Sequence, residues 1–270
     1  MGRQHHPPDR GWPHYPPWHA MVVGMVRPHK ILIVVTGSPP PAVAAAHGDY
    51  ATIMAAAIGS AWTGGYDSID LRSERPRDDS ATAAVIITGS SASLPDHEPW
   101  MAKATAWLAE IVRRGAPTLG VCFGHQLLAQ ALGGAVALNP KGREMGTVAI
   151  ERLEPCVLLQ GLNRHFTANA CHTDTVTRLP AGAEVFARSE ADPHQCVRFA
   201  ERCYGVQFHP EIDGWTMRAF VDARTDQLHA EGLDPVTIKH QARDTPSGRQ
   251  IMGNFVKHIV ALEGHEAHLG

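Results

Sequence analysis

The sequence has no CxxC pair, no Walker-type phosphate loop, no internal repeat and no apolar run long enough to cross a membrane. Each absence removes a class of function. The five cysteines, Cys122, Cys156, Cys171, Cys196 and Cys203, are odd in number and unpaired in spacing. That signals neither a disulfide framework nor a zinc site and fits a reducing, cytoplasmic setting. The longest apolar runs, such as Ile31 to Val35, fall far short of the roughly 20 residues a spanning helix needs. The chain does not open on an apolar segment followed by a small-residue cleavage site, so no secretory signal is expected. Charge is nearly balanced, with 24 Lys and Arg against 27 Asp and Glu and a formal net charge of −3. Neither nucleic acid nor an anionic membrane is therefore expected as a partner.

What is present is an ordinary core-forming composition over 270 residues, 44% hydrophobic and 19% charged. Residues 1–28 are rich in Pro, His, Trp and Arg without a period, which predicts a disordered N-terminal tail. Residues 29–265 are read as a single domain. Of the 17 histidines, five (His5, His6, His14, His19 and His29) lie in the first 29 residues and most others are scattered, so no metal site is expected.

The pattern from Lys30 onward alternates strand and helix. Lys30 to Thr36 reads as a buried strand, Val43 to Ile58 as an Ala-rich helix, and Tyr66 to Leu71 and Ala83 to Thr88 as two more strands. Pro95 to Arg114 spaces Trp100, Ala104, Leu108, Ile111 and Val112 helically. Such alternation predicts an α/β fold, a mostly parallel sheet flanked by helices, with its active site at the carboxyl ends of the strands. Beyond Gly134 the segments turn shorter and β-like: Thr147 to Leu153, Thr175 to Leu179, Glu184 to Ser189, Cys196 to Phe199 and Cys203 to Phe208, the last two joined by a hairpin at Glu201-Arg202. Helices are predicted over Trp215 to Leu228, Asp234 to Gln241 and Gly248 to Leu262.

Two stretches carry chemistry. In the first, the apolar run Ala116-Pro117-Thr118-Leu119 leads into Gly120-Val121-Cys122-Phe123-Gly124-His125-Gln126, and a helix follows up to Gly133-Gly134. Cys122 thus falls where a strand turns sharply into a helix, the geometry of a nucleophile elbow. A thiol there feels the positive end of the helix, which favours the attacking thiolate, and the Phe123 amide points toward an oxyanion. In the second, Tyr204-Gly205-Val206-Gln207-Phe208-His209-Pro210-Glu211, the His and the Glu start on one face of extended chain, with Pro210 stiffening the pair. A carboxylate so placed orients the imidazole, which relays a proton between thiol and leaving amine. His209 follows Cys122 by 87 positions (209 − 122). The order Cys, His, Glu disfavours an α/β-hydrolase, whose acid precedes its His.

Together these motifs resemble those of the class I glutamine amidotransferases, from about Lys30 to Glu211. The resemblance implies that family's flavodoxin-like three-layer fold and a Cys122–His209–Glu211 triad. Ile87-Thr88-Gly89-Ser90 is similar to the family's oxyanion strand and loop. This implies the Ser90 amide as partner of the Phe123 amide and Gly89 beside the substrate. Ser91 stands where many members have Pro. Gln126 falls where the family binds glutamine, and Cys171-His172-Thr173-Asp174 resembles the family's Ser-His-x-Asp segment near that substrate, with Cys171 in place of Ser. Gly48-Asp49-Tyr50, Trp100-Met101, Gly142 to Gly146 and an inserted segment over 226–248 resemble proteins related to the GMP synthase glutaminase domain. The inserted segment is expected either to wall the site or to face solvent.

The implied activity is Cys-dependent cleavage of a γ-glutamyl amide through a thioester, with no metal or organic cofactor. The substrate is glutamine or another γ-glutamyl compound. The chemistry leaves two outcomes open: ammonia passes to a separate synthetase or acceptor subunit, or the chain is a free-standing γ-glutamyl peptidase. A non-catalytic regulatory protein of the same fold ranks lower, because Cys, His and Glu are all intact.

Overall fold

In the computed structural model, residues 30–74 and 82–260 are described. The tail expected over 1–28 lies outside them, as do residues 261–265 of the expected domain. The elements in chain order are β1 (Lys30–Val35), α1 (Pro41–His47), α2 (Tyr50–Ile58), β2 (Gly65–Asp70), β3 (Thr82–Ile87), α3 (Pro99–Arg113), β4 (Thr118–Val121), α4 (Phe123–Ala131), β5 (Ala135–Leu138), β6 (Glu144–Arg152), β7 (His165–His172), β8 (Asp174–Arg178), β9 (Glu184–Arg188), β10 (Cys196–Ala200), β11 (Cys203–Val206), α5 (Gly214–Asp222), α6 (Thr225–Ala230), α7 (Pro235–Gln241) and α8 (Pro246–Phe255). A π-turn over Val256–Val260 prolongs α8.

A nine-stranded sheet runs β2-β1-β3-β4-β11-β10-β9-β6-β7, beside a two-stranded sheet of β5 and β8. Strands β2, β1, β3, β4 and β11 are mutually parallel, and from β11 outward the pairings are antiparallel. The parallel α/β sheet expected from the sequence thus carries an antiparallel arm. Its central strands are buried on both faces, as the apolar run of β1 and the Thr-Ala-Ala-Val-Ile-Ile of β3 require. One core layer packs α2 and α8 against the sheet through Met54, Ile251, Met252 and Phe255. The opposite layer packs α3 and α4 through Leu108, Ile111, Leu127 and Leu128.

Three sequence expectations need correction. The helix read over Val43 to Ile58 is two helices. Gly48, at φ +81°, ends the first, and Asp49 caps the second by accepting from the Thr52 amide. The helix read over Trp215 to Leu228 breaks after Asp222 and resumes at Thr225. Strand β7 was not anticipated. Asn169, at its centre, is fully buried; its side chain donates to the Ile212 carbonyl and accepts from the Thr147 hydroxyl. A polar residue satisfied from two neighbouring segments keeps a strand buried where the pattern suggests a loop. Among the described residues no helix is long and apolar enough to cross a membrane.

Candidate active site

Parallel pairing places three strand ends side by side. Ile87 of β3 is level with Gly120 of β4, and Val206 of β11 with Val121. The segments that continue past these ends are Thr88-Gly89-Ser90, Cys122, and Gln207-Phe208-His209, which are thereby forced together. Cys122 has φ +52° and ψ −106°, a conformation that costs a non-glycine residue on the order of 1–3 kcal/mol. Its amide is held by the Val206 carbonyl at 2.8 Å and its carbonyl by the Gln126 amide at 3.1 Å. The sequence-predicted elbow is therefore a strained turn fixed from both sides.

His209 faces the thiol across Gly89, where a Cβ would meet His209 Cε1 and Cys122 Cβ together. Its Nδ1 lies 2.7 Å from Glu211 Oε1, and that carboxylate side chain is fully buried. The His209 amide donates to the Asn169 carbonyl at 2.7 Å, anchoring the loop on β7. Burial opposes charge on the imidazole, but the Glu211 charge and the sulfur outweigh it and push His209 well above its ordinary value. Burial likewise opposes a thiolate, but the His209 charge, with His172 adding to it, leaves the Cys122 thiol below its ordinary value. Tyr50, buried on α2, is pushed upward by burial and then by the Glu211 charge, so its phenol keeps its proton.

Cys122 opens on a pocket of about 150 Å³ whose wall includes Ser90, Phe123, Gln126, Cys171, His172 and Asp174. All of these except Cys171 are site residues expected from the sequence. Their side chains are placed as follows. The Ser90 hydroxyl donates to the Thr36 carbonyl and accepts from the Ala92 amide, which shapes the loop. The Gln126 amide donates to the Asp174 carbonyl at 2.9 Å and to Gln207 Oε1 at 3.0 Å. The Asp174 carboxylate accepts from the Ser93 hydroxyl at 2.6 Å. Both ring nitrogens of His172 are occupied, by the Asp174 carbonyl and by Glu144. Gly89 packs between His209 and Cys122.

Sequence reasoning passed over Arg143, Arg224 and Gln227, which also line this pocket. Arg143 is clamped by Glu231 through Nε at 2.6 Å and Nη2 at 2.9 Å. Arg224 stacks 5.1 Å over the Phe220 ring, which in turn meets the His209 ring edge-on at 6.3 Å. The signal for Arg143 was the Gly142 to Gly146 run. Gln227 lies at the start of the inserted segment and Arg224 just before it, while the segment's α7 packs on α5 and β6. A larger cavity of about 720 Å³, reached past Lys141, Thr175 and His194, lies on the antiparallel arm and includes none of Cys122, His209 and Glu211. Among the described residues, no three His, Cys, Asp or Glu side chains are grouped to hold a metal ion.

Residues 66–221 match the family model of glutamine amidotransferase class-I. The chain is 34% identical over 173 residues to a GMP synthase [glutamine-hydrolyzing] of Nitrobacter hamburgensis, covering 55% of this chain. It is 39% identical over 205 residues to that of Phenylobacterium zucineum, covering 74% of this chain. The matched region spans 31% of the length of each of these relatives. The fold is similar to a glutamine amidotransferase from Thermotoga maritima, with TM-score 0.70 and 21% identity over 87% of this chain and 99% of that one. It is also similar to a glutamine amido transferase from Methylobacillus flagellatus, with TM-score 0.64 and 21% identity over 87% and 93% of the two chains. With the matched segment covering more than half of its length, the chain belongs to the class I glutamine amidotransferase family.

Proposed function

We propose that this protein hydrolyses the γ-amide of glutamine through a thioester on Cys122. One observation carries the reading: the thiol sits on a strained elbow at the end of β4, against an imidazole whose far nitrogen is 2.7 Å from a buried carboxylate. The Cys122 thiolate adds to the γ-carbonyl, and the amides of Ser90 and Phe123 receive the oxyanion. His209, charged through Glu211, gives its proton to the departing ammonia. A water molecule then loses a proton to His209 and attacks the thioester, releasing glutamate and the thiolate. The scheme uses thiolate, acid–base and amide donors alone, with no metal or organic cofactor.

The relatives named GMP synthase favour ammonia transfer to a synthetase partner as the use of this reaction. A second reading, hydrolysis of other γ-glutamyl compounds, is favoured by the Arg224 guanidinium in the pocket wall. Glutamine carries one carboxylate, whereas a γ-glutamyl dipeptide carries two, and a guanidinium pairs well with each.

The test is product release by purified protein from glutamine and from a γ-glutamyl dipeptide, beside Cys122→Ala. Ammonia release lost in the variant, with a γ-glutamyl adduct trapped on Cys122 at acid quench, is the expected result. Equal release by the variant would sink the reading. Faster cleavage of the dipeptide would favour the second.

A further inference from the structure

The reaction above uses one histidine, yet a second lies beside the same sulfur. His172 ends β7 and lines the pocket with Cys122, and Cys122 Sγ is 3.8 Å from the carbonyl oxygen of the preceding residue, Cys171. The ring is nearly fully buried, with Nδ1 3.0 Å from the Asp174 carbonyl oxygen and Nε2 2.9 Å from Glu144 Oε2. A carbonyl oxygen can only accept, so Nδ1 carries a hydrogen. A neutral ring would then turn a bare Nε2 toward Glu144. Glu144 Oε2 also accepts from Gln195 Nε2 at 2.5 Å, so one carboxyl oxygen faces two nitrogens at once. With a carboxylate at Glu144 both nitrogens donate, and the ring is an imidazolium.

The groups around it agree. Asp192 Oδ2, fully buried on the 189–195 loop and otherwise without a partner, lies 4.0 Å from His172 Nδ1. Glu144 on β6 adds a second carboxylate, while the Asp174 carboxylate on β8 turns to the Ser93 hydroxyl. His125 on α4 is held neutral, lowered to about 3 by its own burial. Burial opposes charge on His172 too, but the bond to Glu144 and then the sulfur push it upward. Around Cys122 stand His209, His172 and Glu211, and the two histidines favour the thiolate.

We propose that His172 is a positioning residue, a permanently charged imidazolium clamped by Glu144, whose field keeps the Cys122 sulfur ionised while His209 passes its proton on. This rests on Cys122 being the nucleophile. It assigns His172 to the thiolate and not to glutamine, since neither ring nitrogen is left for a substrate. It also answers a need of the scheme. The thiolate is the leaving group when the thioester breaks, and a charge that never moves stabilises it in both half-reactions.

The test is the pH dependence of Cys122 alkylation by iodoacetamide in the full chain without substrate, for wild type, His172→Gln and Glu144→Gln. In His172→Gln the alkylation midpoint rises by about one pH unit, with about tenfold less thiolate below it. kcat for glutamine falls by a similar factor while KM stays near the wild-type value. An unmoved midpoint with a raised KM would make His172 a substrate ligand and overturn the proposal. If His172→Gln fails to fold, Glu144→Gln decides, because it leaves the ring in place and removes only its counter-charge. There the midpoint also rises as His172 loses its proton. A fall would show that His172 is not the carrier. Wild type with a low midpoint but no ammonia release would refute the hydrolase reading and leave this one standing.

Discussion

Adding one methyl group at Gly89 probes the whole arrangement. A Cβ built there lies 2.9 Å from His209 Cε1 and 3.6 Å from Cys122 Cβ. The second is ordinary contact; the first is more than half an ångström too close for two carbons, whose optimum is roughly 3.5–4.0 Å. Gly89 has an ordinary negative or extended φ, so Ala is locally permitted and the strain falls on the neighbour. His209 cannot retreat freely, because Nδ1 is tied to Glu211 and its amide to Asn169. Overpacking of this kind costs about 1–3 kcal/mol of stability, or a melting point lower by about 2–10 °C for a chain of this size. The catalytic loss is larger. An imidazole displaced by a sizeable fraction of an ångström from the thiol costs on the order of 10²-fold in rate. Steady-state ammonia release from glutamine and a thermal melt give both numbers. Gly124→Ala is the contrast, since its Cβ would lie 2.5 Å from the Ile87 backbone oxygen, which cannot swing aside, so stability fails before activity. Wild-type kcat/KM in Gly89→Ala, with an unchanged melt, would refute the claim that the β3 loop positions His209.

Three further outcomes are expected. Glu211→Gln keeps a neutral partner for His209 but removes the charge that raises it, so the alkaline limb of kcat/KM moves down by about one to two pH units, as loss of a charged bond of about 1.5–3 kcal/mol requires. The sign follows from His209 lying well above 6.5 in the fold: its contribution to stability is complete below 6.5 and is lost as pH rises through the folded value. An alkaline limb that stays put would refute this role of Glu211. His125 behaves oppositely. Its folded value of about 3 lies below 6.5, so stability present above 6.5 is lost as pH falls toward 3, by about 1.4 kcal/mol per unit from this group. Urea unfolding at pH 7 and pH 5 should show this slope in wild type and a shallower one in His125→Gln; equal slopes would count against it. Arg224→Met should raise KM for a γ-glutamyl dipeptide about tenfold or more while sparing glutamine, on the scale of one charged hydrogen bond. Equal effects on the two substrates would remove the case for a second carboxylate site.

How much of this was legible in the sequence depends on the range of the signal. Cys122 could be read as an elbow because strand, glycines and helix are contiguous, and the structure adds only the positive φ. His209 and Glu211 could be paired because two positions apart in extended chain is a local relation, here 2.7 Å. The parallel half of the sheet followed from buried runs alternating with helical periods. The Val43 to Ile58 error was a matter of weight: an Ala-rich composition outvoted Gly48-Asp49, a stop followed by a cap. Strand β7 was hidden because its centre is Asn169, whose partners Thr147 and Ile212 lie 22 and 43 positions away.

The same distinction separates the residues found from those missed inside one pocket. A motif reports which side chains share a strand end, but not which of their polar atoms are still free. Gln126, His172 and Asp174 stand in the pocket wall as the resemblance implied, yet Gln126 and His172 bond to each other's neighbourhood through the Asp174 carbonyl. That carbonyl, together with Glu144 and Gln207, fixes the Gln126 amide nitrogen and the His172 ring in the wall behind the thiol. The cationic part of the wall comes from Arg143, clamped by Glu231, and Arg224, which are 81 positions apart (224 − 143). No spacing rule links them. They converge only because β6 pairs beside β7, where His172 ends, while α5 returns against both strands. Chemistry that resides in a covalent neighbourhood is written in the sequence. Selectivity that resides in a wall built from distant elements appears only once the sheet order is known.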